Sequence, residues 1–262
     1  MDHPKVKRSV LLCAAVLSSC NWYDKTTVQN IAGPVPAGAR VLFFNFGVNA
    51  PGVNFYANDT KMTAITSISD IESTSGVAYS QAGNGGLYSA LAPGTYTLTG
   101  RIAAATNKDL PIDNLSATIA DGKSYSFYLS GLYDTTAKQV DAFVVEDPIP
   151  AQWDYSVAYA RFVNAIYNAN PLTLYAKNTD ATVTTDSIAV GGEVAYKAAG
   201  PFTAVPNGVY NLVTRYTGSN RSVITRGNVS FVRGHMYTIG ARGDTTKTSG
   251  TLVPALDNTA NR

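Results

Sequence analysis

The stretch "ARVLFFNFGVNAPGVNFYA" (39–57) decides the fold, because the chain repeats it as "AYARFVNAIYNANPLTLYA" (158–176). Three further blocks recur in the same order: "GVAYSQAG" with "EVAYKAAG", "APGTYTLTGR" with "PNGVYNLVTR", and "DGKSYSFYLSGLYDTT" with "RGHMYTIGARGDTT". Chance similarity between segments rich in Ala, Gly and Thr would not preserve the order of four blocks. The sequence therefore predicts two copies of one domain.

Both copies have the residue pattern of β-strands. In "SYSFYLS" (124–130) and "GTYTLTG" (94–100), apolar or aromatic side chains recur at every second position. This alternation predicts strands with one buried face and one solvated face. Gly-containing turn pairs separate the strands, and no long stretch has a helical period. We therefore predict an all-β fold of two tandem immunoglobulin-like β-sandwich domains, with small barrels as the alternative.

The N-terminal residues predict a secretory signal peptide over residues 1–19. A basic start, "MDHPKVKR", precedes a short apolar run that ends in small residues. The segment "LSSC" (17–20) resembles the bacterial lipobox, in which diacylglycerol is attached to the cysteine before cleavage. We expect the mature chain to begin at a lipidated Cys20 that anchors it to a membrane. Ordinary secretion with an unmodified Cys20 thiol is the alternative.

The rest of the chain is predicted to have four parts. Residues 20–38 form a lipidated tether, 39–147 the first sandwich, 148–156 a linker and 157–262 the second sandwich. Two prolines in the linker favour a limited range of domain orientations. The lipid would place both domains outside the cytoplasm, in the bacterial cell envelope, at the outer membrane or on a periplasmic membrane face.

The opening strands resemble a known family. "ARVLFFNFGVNAPGVNFYANDT" and "ARFVNAIYNANPLTLYAKNT" look like the start of the bacterial domain-of-unknown-function family 4397. Its members begin with an Arg-Val-Arg-Phe-Val-Asn-Ala type strand, an Ala-Pro turn and a Val-Asp-Val-Tyr type strand. Asn54 and Thr173 stand where an acidic residue is usual in that family. The resemblance implies an extracytoplasmic β-sandwich with no established activity and no catalytic residues to transfer.

Few residues of the mature chain could support catalysis or bind a metal ion. Only His235 remains after signal removal, and its position in "RGHMY" predicts a turn residue. With Cys13 removed and Cys20 acylated, no free thiol is left, so neither a metal site nor a cofactor is expected. The glycine-rich "GNGG" (83–86) lacks the Lys-Ser/Thr of a phosphate-binding loop. The unpaired acidic candidates, expected on solvated surface or in the linker, are Glu72, Glu146, Asp147 and Glu193. We expect the protein not to be an enzyme.

Charge is divided unevenly between the two copies. The intact chain has 20 basic and 18 acidic residues, and the signal peptide removes three and one, leaving 17 of each. This balance argues against a nucleic-acid partner. Residues 21–156 carry 7 basic and 12 acidic residues, whereas 157–262 carry 10 and 5. The asymmetry could attract an anionic partner, stabilise contact between the domains or be solvated charge. The residues considered for an anionic-partner face are Arg215, Arg221, Arg226, Arg233 and Arg242.

Two functions remain open at this point. The first is a lipid-anchored, non-catalytic accessory module that docks on an envelope protein or membrane complex. The second is a surface lipoprotein that binds glycan or another ligand, because 16 tyrosines and many asparagines suit sugar stacking and hydrogen bonding. Tyrosine is also a common strand residue, so most of these side chains are expected to be half-buried. The predicted partners are therefore the membrane, reached through the lipid, and an envelope protein or a glycan.

Overall fold

The computed structural model describes residues 38–65, 72–150, 152–180, 182, 187–219 and 221–261. Within these ranges the protein is all-β, as predicted, with one short 3-10 turn at Gly83–Gly86. The predicted signal peptide, Cys20 and the tether up to residue 37 lie outside the described residues. None of the helical segments in the described part is long and apolar enough to cross a membrane.

In the described residues, nine strands build the first sandwich. They are β1 (Ala39–Asn45), β2 (Val53–Ala57), β3 (Thr60–Lys61), β4 (Gln81–Ala82), β5 (Ser89–Leu91), β6 (Gly94–Ile102), β7 (Leu115–Ile119), β8 (Ser124–Asp134) and β9 (Gln139–Glu146). One sheet has the order β4-β1-β8-β9, with β5 also paired to β1, and the other has the order β3-β2-β6-β7. Strands β1 and β8 are parallel, whereas their neighbours are antiparallel.

Nine further strands of the described part of the chain repeat this topology. They are β10 (Val157–Asn164), β11 (Leu172–Asn178), β12 (Ile188–Val194), β13 (Ala198–Ala199), β14 (Thr203–Pro206), β15 (Gly208–Tyr216), β16 (Ser222–Phe231), β17 (Met236–Arg242) and β18 (Ala255–Ala260). The sheets have the orders β13-β10-β17-β18, with β14 on β10, and β12-β11-β15-β16. Strands β10 and β17 form the parallel pair that corresponds to β1 and β8. The sequence repeat is thus a repeat of structure.

Each sandwich has its own apolar core between its two sheets. In the first, the Phe43 ring lies 5.2 Å from Phe55 and 6.1 Å from Phe127, centroid to centroid. In the second, Tyr210 lies 5.5 Å from Phe231. These aromatic pairs lie within the range at which aromatic side chains attract one another. The alternation in "SYSFYLS" therefore correctly predicted that Phe127 faces the core.

The prediction of half-buried strands is wrong for one sheet of each sandwich. We call β4-β1-β8-β9 and β13-β10-β17-β18 the facing sheets, and the other two the outer sheets. Phe44 and Tyr128 lie on the side of their sheet away from the first core, yet they are only 2% and 1% exposed. They form a third apolar cluster with Val163 of the second sandwich. Both faces of the facing sheets are therefore buried, because the two sandwiches pack on each other.

Candidate functional site

The two copies meet through equivalent surfaces. The repeat makes Tyr79 equivalent to Tyr196, and Ser130 equivalent to Arg242. The hydroxyls of Ser130 and Tyr196 lie 3.0 Å apart, and the guanidinium of Arg242 lies 5.0 Å from the Tyr79 ring centroid. In each contact, a tyrosine of one copy meets the residue at the Ser130/Arg242 position of the other copy. Reciprocal contacts of this kind define an isologous interface with an approximate two-fold relation.

Large side chains of the first sandwich fill space that small ones leave in the second. Tyr128 stacks between Phe44 and Phe143, with ring centroids 4.6 and 4.9 Å away. The residue equivalent to Tyr128 in the second copy is Gly240. A Cβ atom at Gly240 would lie 2.7 Å from the Phe46 ring. The absence of a side chain at Gly240 therefore permits Phe46 to pack on the second sandwich.

A buried cation lies beside this aromatic cluster. Arg161 is fully buried on β10, and its Nη2 donates to the Asp147 carboxylate at the end of β9. Its Nη1 donates to the Glu146 carbonyl at 2.9 Å, and its Nε donates to Thr238 Oγ1 at 3.0 Å. The guanidinium also lies 4.9 Å from the Phe202 ring centroid. Arg161 is thus paired and hydrogen-bonded, as a buried charge requires.

The hydrogen bonds of Arg161 continue into a closed ring. Thr238 donates to Asn261 Oδ1 at 2.7 Å, and Asn261 Nδ2 donates to the Tyr88 hydroxyl at 3.0 Å. Tyr88 in turn donates to Asp147 Oδ2 at 2.6 Å. Burial, together with the Asp147 carboxylate, raises the pKa of Tyr88 far above its usual value, so the hydroxyl stays protonated. The ring holds together residues of both sandwiches.

The structure corrects the expectation for one carboxylate. Asp147 was expected on solvated surface or in the linker, but it is only 2% exposed. It is buried because Arg161 neutralises it and because Tyr88 and Ser126 donate to it. The other acidic candidates are exposed and have the following partners: Glu72 with Lys61, Glu146 with Lys123, and Glu193 with Thr217. Across the described residues, no group of three His, Cys, Asp or Glu is placed to hold a metal ion.

The five arginines singled out in the sequence do not share one face. Arg215 is on an outer sheet, with its guanidinium 5.1 Å from the Tyr175 ring centroid. Arg242 lies in the interface and pairs with Asp257. Arg226 donates to the Leu256 carbonyl at 2.6 Å. The remaining two, Arg221 and Arg233, are exposed. Arg242 thus contributes to contact between the sandwiches.

Sequence reasoning missed Arg161, Tyr88 and Asn261. The signal for Arg161 was present, since it stands where the first copy has Leu42. A charge at a position that is apolar in the other copy indicates a special environment. Nothing in the local sequence of Tyr88 or Asn261 indicates that they belong to one network. His235 is exposed in the turn before β17, with a ring nitrogen 3.2 Å from the Arg233 carbonyl.

A groove opens beside the interface and uses both sandwiches. Its volume is about 480 Å³, and its walls are residues 80–82 and 85–87 of the first copy and Arg226 with residues 257–260 of the second. Leu87 on its rim is 71% exposed. Four residues separate Gly83 from Tyr88, whereas one separates the equivalent Gly200 from Phe202. The wall at 85–87 is therefore an insertion that breaks the approximate two-fold symmetry.

A second cleft, of about 380 Å³, lies in the first sandwich around Asp113. Asp113 is 3% exposed, and its Oδ1 accepts a hydrogen bond from the Gly100 amide at 2.6 Å. Burial raises the pKa of this carboxyl to about 7, although hydrogen bonds from Gly100 and Thr99 oppose the shift. The remaining lining residues are Thr97, Thr99, Arg101, Pro111, Asn114 and Gln139.

Fold and interface together define a class: a tandem β-sandwich protein whose copies pack through equivalent sheets. The chain belongs to the family described as Domain of unknown function (DUF4397), whose model matches residues 39–175. No curated protein gives a significant match. Among solved structures, similarity was found to CBMbc (family CBM26) from Eubacterium rectale Amy13K, crystallised in complex with maltoheptaose. That match has 10% sequence identity and a TM-score of 0.24, and it covers 85% of this chain and 95% of the other. A TM-score this low carries no argument about function.

Proposed function

We propose that the protein is a lipid-anchored, non-catalytic module of the cell envelope that binds an envelope protein or membrane complex. The observation that carries the proposal is the buried contact between the facing sheets. It combines the apolar cluster around Phe44 and Tyr128 with the hydrogen-bonded ring around Arg161 and Asp147. Two sandwiches joined in this way present their surfaces at a fixed separation.

Fixed separation favours binding to another macromolecule. Ordering mobile domains opposes association, so surfaces that are already ordered bind with a smaller entropic cost. The groove between residues 80–87 and 257–260 exists only while the sandwiches are packed together. An enzyme would need a set of reactive groups, whereas Arg161, Asp147 and Tyr88 at this interface are engaged in hydrogen bonds and an ion pair.

The anchor belongs to the same proposal. A diacylglyceryl group on Cys20 would hold the chain at the membrane surface, because a two-chain lipid anchor is stable. The segment 20–38 can extend at most about 70 Å, which would keep the sandwiches close to the bilayer. The partner is therefore expected at or near the membrane.

In-cell photo-crosslinking tests this function. A photoreactive amino acid would replace the exposed Leu87, Leu132 or Tyr155, one at a time, in the full chain. The expected result is an adduct with one particular envelope protein from at least one position, together with an acylated Cys20 in the N-terminal peptide. Absence of protein adducts from all three positions, or a free thiol at Cys20, would contradict the proposal.

Glycan binding is the second candidate, and the Asp113 cleft is the feature that favours it. Asp113 Oδ2 and Arg101 Nε are buried and have no hydrogen-bond partner among the described residues. A hydroxyl group can donate to the first and accept from the second. Binding of envelope polysaccharide that is lost in Gln139→Ala and kept in Gln81→Ala would support this candidate. No retention of the wild-type chain on polysaccharide would exclude it.

A further inference from the structure

We propose that the groove binds an extended segment of a partner polypeptide, which adds a strand to the free edge of β18 and places a carboxylate side chain at Arg226. The inference rests on the proposed function and specifies the kind of partner it requires. It assigns a docking role to one edge strand, one inserted loop and one arginine.

The edge of β18 faces the groove with unused backbone groups. Among the strands that the structure describes, β18 pairs with β17 alone. The amide of Asn261 donates to the Met236 carbonyl at 2.8 Å, so Asn261 points its backbone toward β17. The Leu256 carbonyl instead accepts from Arg226, so Leu256 points its backbone away from β17. The N–H and C=O groups of successive residues alternate between the two edges of a strand. Those of residues 258 and 260 therefore point away from β17, like those of Leu256.

The edge of β18 lies between two walls of the groove. The inserted loop lies on one side, where a Cβ at Gly86 would be 3.6 Å from Thr259 Cγ2. Arg226, on β16, lies on the other side. The exposed Leu87 offers an apolar surface to a side chain of an added strand. Main-chain hydrogen bonds would supply affinity, and the side-chain contacts would supply specificity.

The polar groups at the groove select the chemistry of the segment. Arg226 forms no ion pair with any described carboxylate, while its neighbour Asp257 is already paired with Arg242. Its remaining N–H groups can therefore hold a carboxylate in charge-assisted hydrogen bonds. Asn258 Oδ1 is buried without a hydrogen-bond partner among the described residues, so it can accept from an N–H of the segment. A peptide supplies that N–H at the regular spacing of a strand.

One wall of the groove has no counterpart at the equivalent place on the other side of the interface. There, the turn between Gly200 and Phe202 is three residues shorter, so the second copy has no equivalent of the wall at 85–87. The approximate two-fold symmetry is therefore broken where the backbone edge, the unpaired arginine and the exposed leucine meet. The site is built once per chain and would take one segment.

Selection from a displayed library of short random peptides tests the inference, with the full chain as the target. We expect enrichment of sequences that carry an acidic residue beside an alternating apolar pattern. A synthetic peptide from the selection should bind Leu87→Asp and Arg226→Glu about tenfold more weakly or worse. Leu132→Asp and Arg221→Glu are the matched controls, since both wild-type residues are exposed and lie outside the groove, and each should bind normally.

Hydrogen exchange then locates the peptide. Bound peptide should slow exchange of the amides of Asn258 and Ala260, because an added strand would accept hydrogen bonds from them. No enrichment by the wild-type chain, equal binding to Leu87→Asp, or protection confined to other strands would overturn the inference. Partner adducts from Leu132 or Tyr155, without groove binding, would leave the proposed function standing and remove only the groove.

Discussion

The guanidinium of Arg161 and the carboxylate of Asp147 form an ion pair across the interface of the two sandwiches, and neither side chain is more than 1% exposed. Arg161 lies on the first strand of the second sandwich, and Asp147 directly follows the last strand of the first sandwich. The pair is stable in this position because its other polar atoms are also hydrogen-bonded. Thr238 and the Glu146 carbonyl accept from the guanidinium, and Ser126 and Tyr88 donate to the carboxylate.

Removing the anion should destabilise the whole protein. In Asp147→Ala the Arg161 charge stays buried without its partner, which costs about 3–5 kcal/mol. Urea unfolding of the full chain measures the loss. Glu146→Gln is the matched control, because the exposed Glu146 side chain pairs with Lys123 at the surface, and this substitution should change stability by less than about 1 kcal/mol. Similar effects of the two substitutions would show that the buried pair does not join the sandwiches.

Filling the space at Gly240 should separate the facing sheets. A valine there places Cβ 2.7 Å from the Phe46 ring, and overpacking of this kind costs about 1–3 kcal/mol. Thermal unfolding should show a lower midpoint for Gly240→Val. Gly227→Val is the control, since a Cβ at that exposed strand position meets only Asn211 Oδ1, at 3.3 Å. Equal midpoints in the two variants would contradict close packing of Phe46 on β17.

Stability should fall as the pH rises toward neutrality. The pKa of Asp113 is about 7 in the folded chain, against 3.8 for the ordinary side chain. Between these values the unfolded chain has released the proton and the folded chain has kept it. The free energy of unfolding therefore decreases from about pH 4 to about pH 7, by up to about 4 kcal/mol from this group.

Urea unfolding across that pH range, with Asp113→Asn as the comparison, tests this prediction. The variant should lose the decrease. Asp134→Asn is a control of opposite sign, because backbone amides of Ala137 and Thr136 lower the pKa of the exposed Asp134 carboxyl. The ionised Asp134 carboxylate stabilises the folded chain, and this contribution is lost as the pH falls below the range in which Asp113 titrates. An unchanged decrease in Asp113→Asn would place the titrating group elsewhere.

The two outer sheets carry equivalent arginine–tyrosine stacks. Arg101 lies 4.3 Å from the Tyr56 centroid, and Arg215 lies 5.1 Å from the Tyr175 centroid. Arg101→Gln should cost about 0.5–1 kcal/mol of stacking energy, and Arg215→Gln less because of the longer distance. Double-mutant cycles with Tyr56→Leu and Tyr175→Leu isolate each stack. A coupling energy near zero in both cycles would show that neither stack contributes to stability.

The residue pattern predicted the content of each sandwich but not how the two are joined. Alternation in "GTYTLTG" correctly placed Leu98 in a core, where it is fully buried. The same rule assigned Tyr128 to a solvated face. Periodicity distinguishes the two faces of a strand, and it does not tell whether the second face meets water or another sheet. Tyr128 is buried because the partner surface comes from residues more than thirty positions away along the chain.

The candidate site was even less visible in the sequence. "GNGG" lacks the features of a phosphate-binding loop, and its informative property is that the second copy has no equivalent of it. An insertion in one of two repeats marks a place where the copies have different surroundings. Arg226 was grouped with other arginines by proximity in sequence. Its distinction is its position beside β18, which only the packing of two sheets creates.

The unequal pairing of Tyr128 with Gly240 and of Leu42 with Arg161 has a consequence for neighbouring chains. If two first sandwiches from different molecules met face to face, Phe46 would encounter Tyr128 where it now meets Gly240. If two second sandwiches met, both Arg161 side chains would be buried without Asp147. Each first sandwich is therefore directed to a second sandwich, and pairing of like sandwiches is disfavoured even where anchored molecules crowd on one membrane.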